Sequence, residues 1–145
     1  MTTTVREAFD KGTEAFNAHD IDEFAGTLAD DVTYRAPGGI SGAGKEACAQ
    51  FFAGWLEGFP DAHVEVHSVY ITGDVALEEG TFTGTHDGVL RTPAGDIPPT
   101  GRHVRAEFIE VHRFRDGKSI YSNLMYDQLE LLNQLGLMPA PAASG

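Results

Sequence analysis

The stretch His103-Val-Arg-Ala-Glu-Phe-Ile-Glu-Val-His-Arg-Phe-Arg115, followed by Asp116-Gly117-Lys118 and then Ser119-Ile-Tyr-Ser-Asn-Leu-Met-Tyr126, decides the fold. Both arms are rich in β-branched and aromatic residues, and Asp-Gly is a strong two-residue hairpin turn. Side chains alternate across a strand, so Phe108, Glu110, His112 and Phe114 share one face of the first arm. Ser122, Leu124 and Tyr126 share one face of the second. A two-stranded hairpin is not stable alone. These arms need a wider sheet and a cover for their apolar side.

The flanking sequence supplies both. His63–Thr72 alternates Val64 and Val66 with His63, Glu65 and His67, which predicts a strand. Gly73-Asp74 turns the chain into a second, Thr-rich strand over Val75–His86. A Gly/Pro-rich loop over 87–101 leads to the hairpin. Upstream, Thr4 with Glu7 and Asp20 with Glu23 have capping-box spacing. The first opens a helix through Phe9 and Phe16. The second opens a shorter one through Phe24 and Leu28, ending before Asp30. A short strand is expected over Val32–Arg35. A third helix runs over Lys45–Phe59, with Cys48, Phe51, Phe52, Trp55 and Phe59 on its apolar side. Asp127 with Glu130 starts a short last helix that Gly136 can cap. Helices segregated from an antiparallel sheet define an α+β class. We expect one domain over residues 1–138 and a frayed, disordered tail over 139–145.

The chain has 145 residues, with 10 Lys and Arg against 22 Asp and Glu, a net charge of −12. Phosphate backbones and anionic lipid attract positive charge, so neither nucleic acid nor membrane is an expected partner. Cys48 is the single cysteine, which excludes an intrachain disulfide and a multi-cysteine zinc site. It reads as a buried packing residue. Neither a signal-peptide pattern nor a membrane-length apolar run is present, so the expected location is cytoplasmic.

Two motifs come close to known chemistry. Gly39-Ile-Ser-Gly-Ala-Gly44-Lys45 has the spacing of a phosphate-binding loop, but Glu46 stands where a magnesium-binding hydroxyl is needed. It reads as a glycine-rich lead into the third helix. His63, Glu65 and His67 share a strand face but spread along roughly 13 Å at ~3.3 Å per residue. They read as a solvent-facing stripe, and no metal is expected.

Four segments, Gly84-Thr85-His86-Asp87-Gly88, Ile97-Pro98-Pro99-Thr100-Gly101-Arg102, Arg113-Phe114-Arg115-Asp116-Gly117-Lys118 and 126–136, resemble the SnoaL-like or "ester cyclase" group of polyketide-cyclase relatives. That group lies within the nuclear transport factor 2-like superfamily. Residues 15–20 and 28–32 look like its helical start. The resemblance spans about residues 5–138. It implies a cone: a strongly curved, mainly antiparallel sheet wrapped by three N-terminal helices, with a short C-terminal helix and an interior pocket. It also implies a homodimer formed through the sheet.

The superfamily holds cyclases, isomerases, dehydratases, epoxide hydrolases and non-catalytic binders. The resemblance therefore implies a cofactor-free acid/base enzyme that cyclises, isomerises or hydrolyses a small apolar carbonyl or polyketide-like compound; the alternatives are a pocket that only binds one and a dimeric interaction domain of the same fold. The cyclases' Asp position is Leu124 here, and the ketosteroid isomerases' base position is Ala36. Glu110 falls where the isomerases keep a proton-donating Asp and the cyclases a His. Glu110, His112 and Tyr126 are thus the expected catalytic residues. Tyr34, Trp55, Phe59, His86, Phe108, Ser122 and Leu124 are the expected ligand contacts. The plain alternative for Glu110 is a surface acid paired with Arg113 or Arg115, and for His86 a structural role in the long loop.

Overall fold

The structure, a computed structural model, describes residues 3–138. The tail expected over 139–145 lies outside the described residues. Three helices lead into and around the sheet: α1 (Val5–Asn17), α2 (Ile21–Ala25) and α3 (Lys45–Gly58). The main strands are β1 (Leu28–Ala36), β2 (Ile40–Ala43), β3 (His63–Thr72), β4 (Val75–Thr85), β7 (His103–Arg115) and β8 (Lys118–Tyr126). A small hairpin, β5 (Leu90–Thr92) with β6 (Gly95–Ile97), lies within the long loop, and α4 (Gln128–Gln134) follows β8. This is the expected α+β class.

Local chemistry fixes the helix starts. Thr4, Asp20 and Asp127 each accept a hydrogen bond from the backbone N–H of the residue three later, at 3.1, 3.0 and 3.1 Å. The β7–β8 turn has positive φ at both Asp116 (51°) and Gly117 (75°), the conformation that an Asp-Gly pair tolerates.

The large sheet runs β2-β1-β8-β7-β4-β3. Pairing is antiparallel except between β1 and β8, which are parallel. The sheet is therefore mixed and open, with β2 and β3 as its edges. Bulges interrupt β3 between Val66 and Ser68 and the β7–β8 pair at Arg113/Phe114. Such bulges increase local twist and bend.

Three local expectations need correction. Leu28, read as the end of the second helix, already belongs to β1, because Gly26 ends α2 one turn earlier. The phosphate-loop lookalike forms β2, with Tyr34 opposite Gly42 and Arg35 opposite Ser41. A β-carbon on Gly42 would lie 2.5 Å from the Tyr34 hydroxyl, so the glycine makes room for that ring. The long loop also carries β5–β6, where Arg91 bonds Asp96 across the hairpin and Glu57 on α3, both pairs exposed.

The helices close one side of the sheet. Helix α1 buries Ala8, Phe9, Ala15 and Phe16 and packs on β3, β4 and β7. The main core joins these elements through Phe24, Val32, Cys48, Phe59, Phe82, Val104, Phe108, Leu131 and Leu135. Burying one such side chain is worth about 1.5–3 kcal/mol. Burial raises the Cys48 thiol to about 12, so it stays protonated as packing material. His63, Glu65 and His67 are exposed, as the solvent-facing reading requires.

Candidate active site

Between the helices and the inner sheet face lies a cavity of about 120 Å³. Helix α1 contributes Phe9, Thr13 and Phe16, and α3 contributes Phe52 and Trp55. The floor comes from the inner registers of β4, β7 and β8. Its polar groups gather at one place. Glu78 on β4 stands directly opposite Glu110 on β7, and Glu110 stands opposite Leu124 on β8. Alternation then puts His112 one step along on the same face, opposite Ala76 and Ser122.

Glu78 is 3% exposed and Glu110 6%. His112 Nε2 donates to Glu78 Oε1 at 2.8 Å and lies 3.4 Å from Glu110 Oε1. Glu110 Oε2 is buried with no hydrogen-bond partner in the protein. The surface-pair alternative for Glu110 falls away. Arg115 pairs with Asp31 at 2.7 Å instead, and Arg113 lies over the Tyr121 ring.

Burial is the largest influence on Glu110 and pushes its pKa up to about 7. The positive charge of His112 opposes that rise, and the Glu78 carboxylate adds to it. Burial would lower His112, but the two carboxyls beside it outweigh burial and raise it. Phe9 meets the imidazole edge-on at 5.3 Å and Phe114 stacks on it at 6.1 Å, fixing the ring. Tyr126 closes the other end, edge-on to Trp55 at 5.5 Å, and burial raises its hydroxyl above 10.0.

Of the expected residues, Trp55, Phe108, Glu110, His112, Ser122, Leu124 and Tyr126 line the cavity. Tyr34, Phe59 and His86 do not. Tyr34 stacks on Phe51 at 5.4 Å, and Phe59 is fully buried behind Trp55. His86 is fully buried too, and its Nδ1 takes the Thr100 hydroxyl at 2.9 Å and the Thr100 N–H at 3.2 Å. It pins the long loop, the structural role.

Sequence reading missed Glu78. The available signal was register: Ala76, Glu78, Gly80 and Phe82 share a strand face, and only Glu78 is charged. The donor atoms of Glu78, Glu110 and His112 lie within 4.8 Å of one another, close enough to hold a small cation. The His112–Glu78 hydrogen bond and the nearby Glu110 carboxyl, 3.4 Å from His112 Nε2, account for the same closeness.

A family model, the SnoaL-like domain, matches residues 5–121. The chain belongs to the SnoaL-like domain family. No curated protein matches it in sequence. Among solved structures, a protein described as a SnoaL-like polyketide cyclase from Jannaschia sp. CCS1 superposes with a TM-score of 0.81. Identity is 22%, over 95% of each chain. IdmH from Streptomyces antibioticus, also described as a polyketide cyclase, gives a TM-score of 0.75 at 25% identity, over 92% of this chain and 99% of its own. A LEH-like epoxide hydrolase from M. tuberculosis gives 0.69 at 20% identity, over 92% of this chain and 90% of its own. This SnoaL-like chain therefore shares its fold with proteins of more than one reaction type. Among the described residues no helix is long and apolar enough to cross a membrane.

Proposed function

We propose that the protein is a cofactor-independent acid/base enzyme acting on a small apolar carbonyl or polyketide-like compound, by cyclisation, isomerisation or hydrolysis. One observation carries this reading: Glu110 lines the cavity, and its buried Oε2 has no hydrogen-bond partner in the protein. A carboxyl with a pKa of about 7 can give or take a proton near neutral pH. Protonated, Glu110 donates to a substrate oxygen. Ionised, it removes a proton from the carbon beside a carbonyl and returns it elsewhere. His112, held by Glu78, takes up part of the charge that forms when Glu110 ionises. Tyr126 offers a phenolic hydroxyl donor within the same wall. Trp55, Phe108, Ser122 and Leu124 hold the apolar body of the ligand, and Tyr34, Phe59 and His86 support that wall from behind. The protein works as a cytoplasmic homodimer in this reading.

A second reading, a pocket that binds such a compound without turning it over, has its own support. Leu124 and Ala36 occupy the two positions where relatives keep a base, so the acid/base work falls to the Glu78, Glu110 and His112 cluster alone.

A melting screen with small polyketides, steroids and lactones tests both readings, and no shift with any of them overturns both. With a compound that is turned over, Glu110→Gln lowers kcat about 10²-fold or more. Unchanged kcat removes Glu110 from the mechanism. Ligand-induced melting shifts without turnover of any compound favour the binding reading.

A further inference from the structure

The cavity wall has an unusual charge inventory. It includes 23 residues, nine of them Phe, Tyr or Trp, and none is Lys or Arg. Its ionisable groups are Glu78, Glu110, His112 and Tyr126. When both carboxyls and the imidazole are ionised, one negative charge is left without a counter-charge. Glu110 Oε2 is buried with its acceptor capacity unused. A carboxylate in an apolar enclosure needs a donor, preferably a charged one. Rings in the same wall offer their negative faces to a cation.

We propose that this cavity binds small lipophilic ammonium ions, with an N–H donated to Glu110 Oε2 and the alkyl groups packed against the aromatic walls. A protonated amine supplies the missing positive charge. An anion of the same shape meets two carboxyls and no Lys or Arg. A neutral alcohol can make a hydrogen bond but leaves the charge unbalanced. The inference needs the cavity and its acids, not turnover, so it stands or falls separately from the catalytic reading.

Without ligand, a proton occupies Glu110 at low pH. An ammonium ion takes its place, so binding releases a proton and strengthens as pH rises. The groups facing Glu110 are Glu78 from β4, His112 from β7 and Tyr126 from β8. Helices α1 and α4 bring uncharged Phe9 and Leu131, and Cys48 on α3 is close enough to feel its charge.

Three probes of one shape separate the possibilities: tert-butylamine, tert-butanol and pivalate. Calorimetric titration of the full chain, with EDTA present, gives their affinities at pH 6 and pH 8. At pH 8 the amine is expected to bind about tenfold or more tighter than the alcohol. Pivalate is not expected to bind. The amine's advantage shrinks at pH 6, and its heat depends on the buffer's ionisation enthalpy, the sign of proton release. Glu110→Gln removes the advantage. Glu78→Gln, a second variant in case the first fails to melt cooperatively, reduces it. Equal binding of amine and alcohol at pH 8, binding of pivalate, or no binding of any probe overturns the proposal. So does a melting rise with Zn²⁺, in the absence of EDTA, that exceeds the amine's and disappears in Glu110→Gln. That outcome assigns the three side chains to a metal instead.

Discussion

Glu110 owes its behaviour to placement rather than to its own chemistry. An exposed glutamate ionises near 4.5, and burial on the inner face of β7 moves this one to about 7. The native state therefore holds a proton on Glu110 that the unfolded chain has already lost. Stability from this group is complete below pH 4.5 and is lost as pH rises through about 7. The free energy involved is on the order of 3 kcal/mol. His112 is raised as well, so its contribution runs in the same direction: present below 6.5 and lost at higher pH. Urea denaturation at a series of pH values compares the wild type with Glu110→Gln. The difference in stability is expected to move against the wild type by about 2–3 kcal/mol from pH 4.5 to pH 8. Parallel curves would mean that Glu110 is not buried with an open oxygen. The sequence revealed Glu110 through strand alternation and through its likeness to a family position. It did not reveal Glu78, because an acid in a Thr-rich strand looks solvated until its partner across the ladder is known.

The candidate site rests on the β4–β7 pair, whose register sets Glu78 against Glu110 and brings both to His112. Because the two carboxyls raise His112, removing one should lower it. The Hε1 resonance of His112, followed by NMR, is expected to titrate at lower pH in Glu78→Gln than in the wild type. An unchanged midpoint would break the proposed coupling. Glycines separate two other elements. In β2, Gly42→Ala sets a β-carbon against the Tyr34 ring and is expected to cost about 1–3 kcal/mol. In α3, Gly54 has open space at the same position and an ordinary helical backbone. Gly54→Ala should therefore stabilise by about 0.5–1 kcal/mol. Both are read from denaturant midpoints, and a reversal of either sign refutes its packing argument. These glycines also mark where sequence reading stopped. A four-residue edge strand built on Ile40-Ser41-Gly42-Ala43 has no alternation long enough to detect. The parallel β1–β8 pairing joins strands more than eighty residues apart in the sequence, and only the folded register reveals it. The long hairpin, by contrast, carried its own turn and its own alternation, and its first strand has the expected limits.

At the scale of the whole molecule, the sheet has two unlike faces. Helices and the cavity cover the inner one. On the outer one, Tyr70 of β3, Ile109 of β7 and Met125 of β8 are 56%, 47% and 56% exposed. Ladder pairing sets Ile109 beside Met125 and Tyr70 beside Leu77, with Leu77 beside Val111 and the exposed acid Glu79 opposite Ile109. Exposed apolar side chains on one sheet face of a chain of net charge −12 are a place for a partner that also avoids water. The proposed homodimer would put a second copy here, since a two-fold axis through the sheet sets each face against itself. A stable dimer buries roughly 800 Å² per partner. Sedimentation at tens of micromolar protein is expected to give a species of about twice 15.6 kDa. The double variant Ile109→Lys, Met125→Lys should sediment as a monomer while keeping its far-UV spectrum, since neither side chain enters the core. Sedimentation of the wild type as a monomer would refute the pairing. A double variant that stays dimeric would place the interface away from this face. Because Ile109 neighbours Glu110 on β7, the same variant also reports on the site. If the dimer braces β7, ligand-induced melting shifts weaken in the monomer, and equal shifts would show that each cavity works alone.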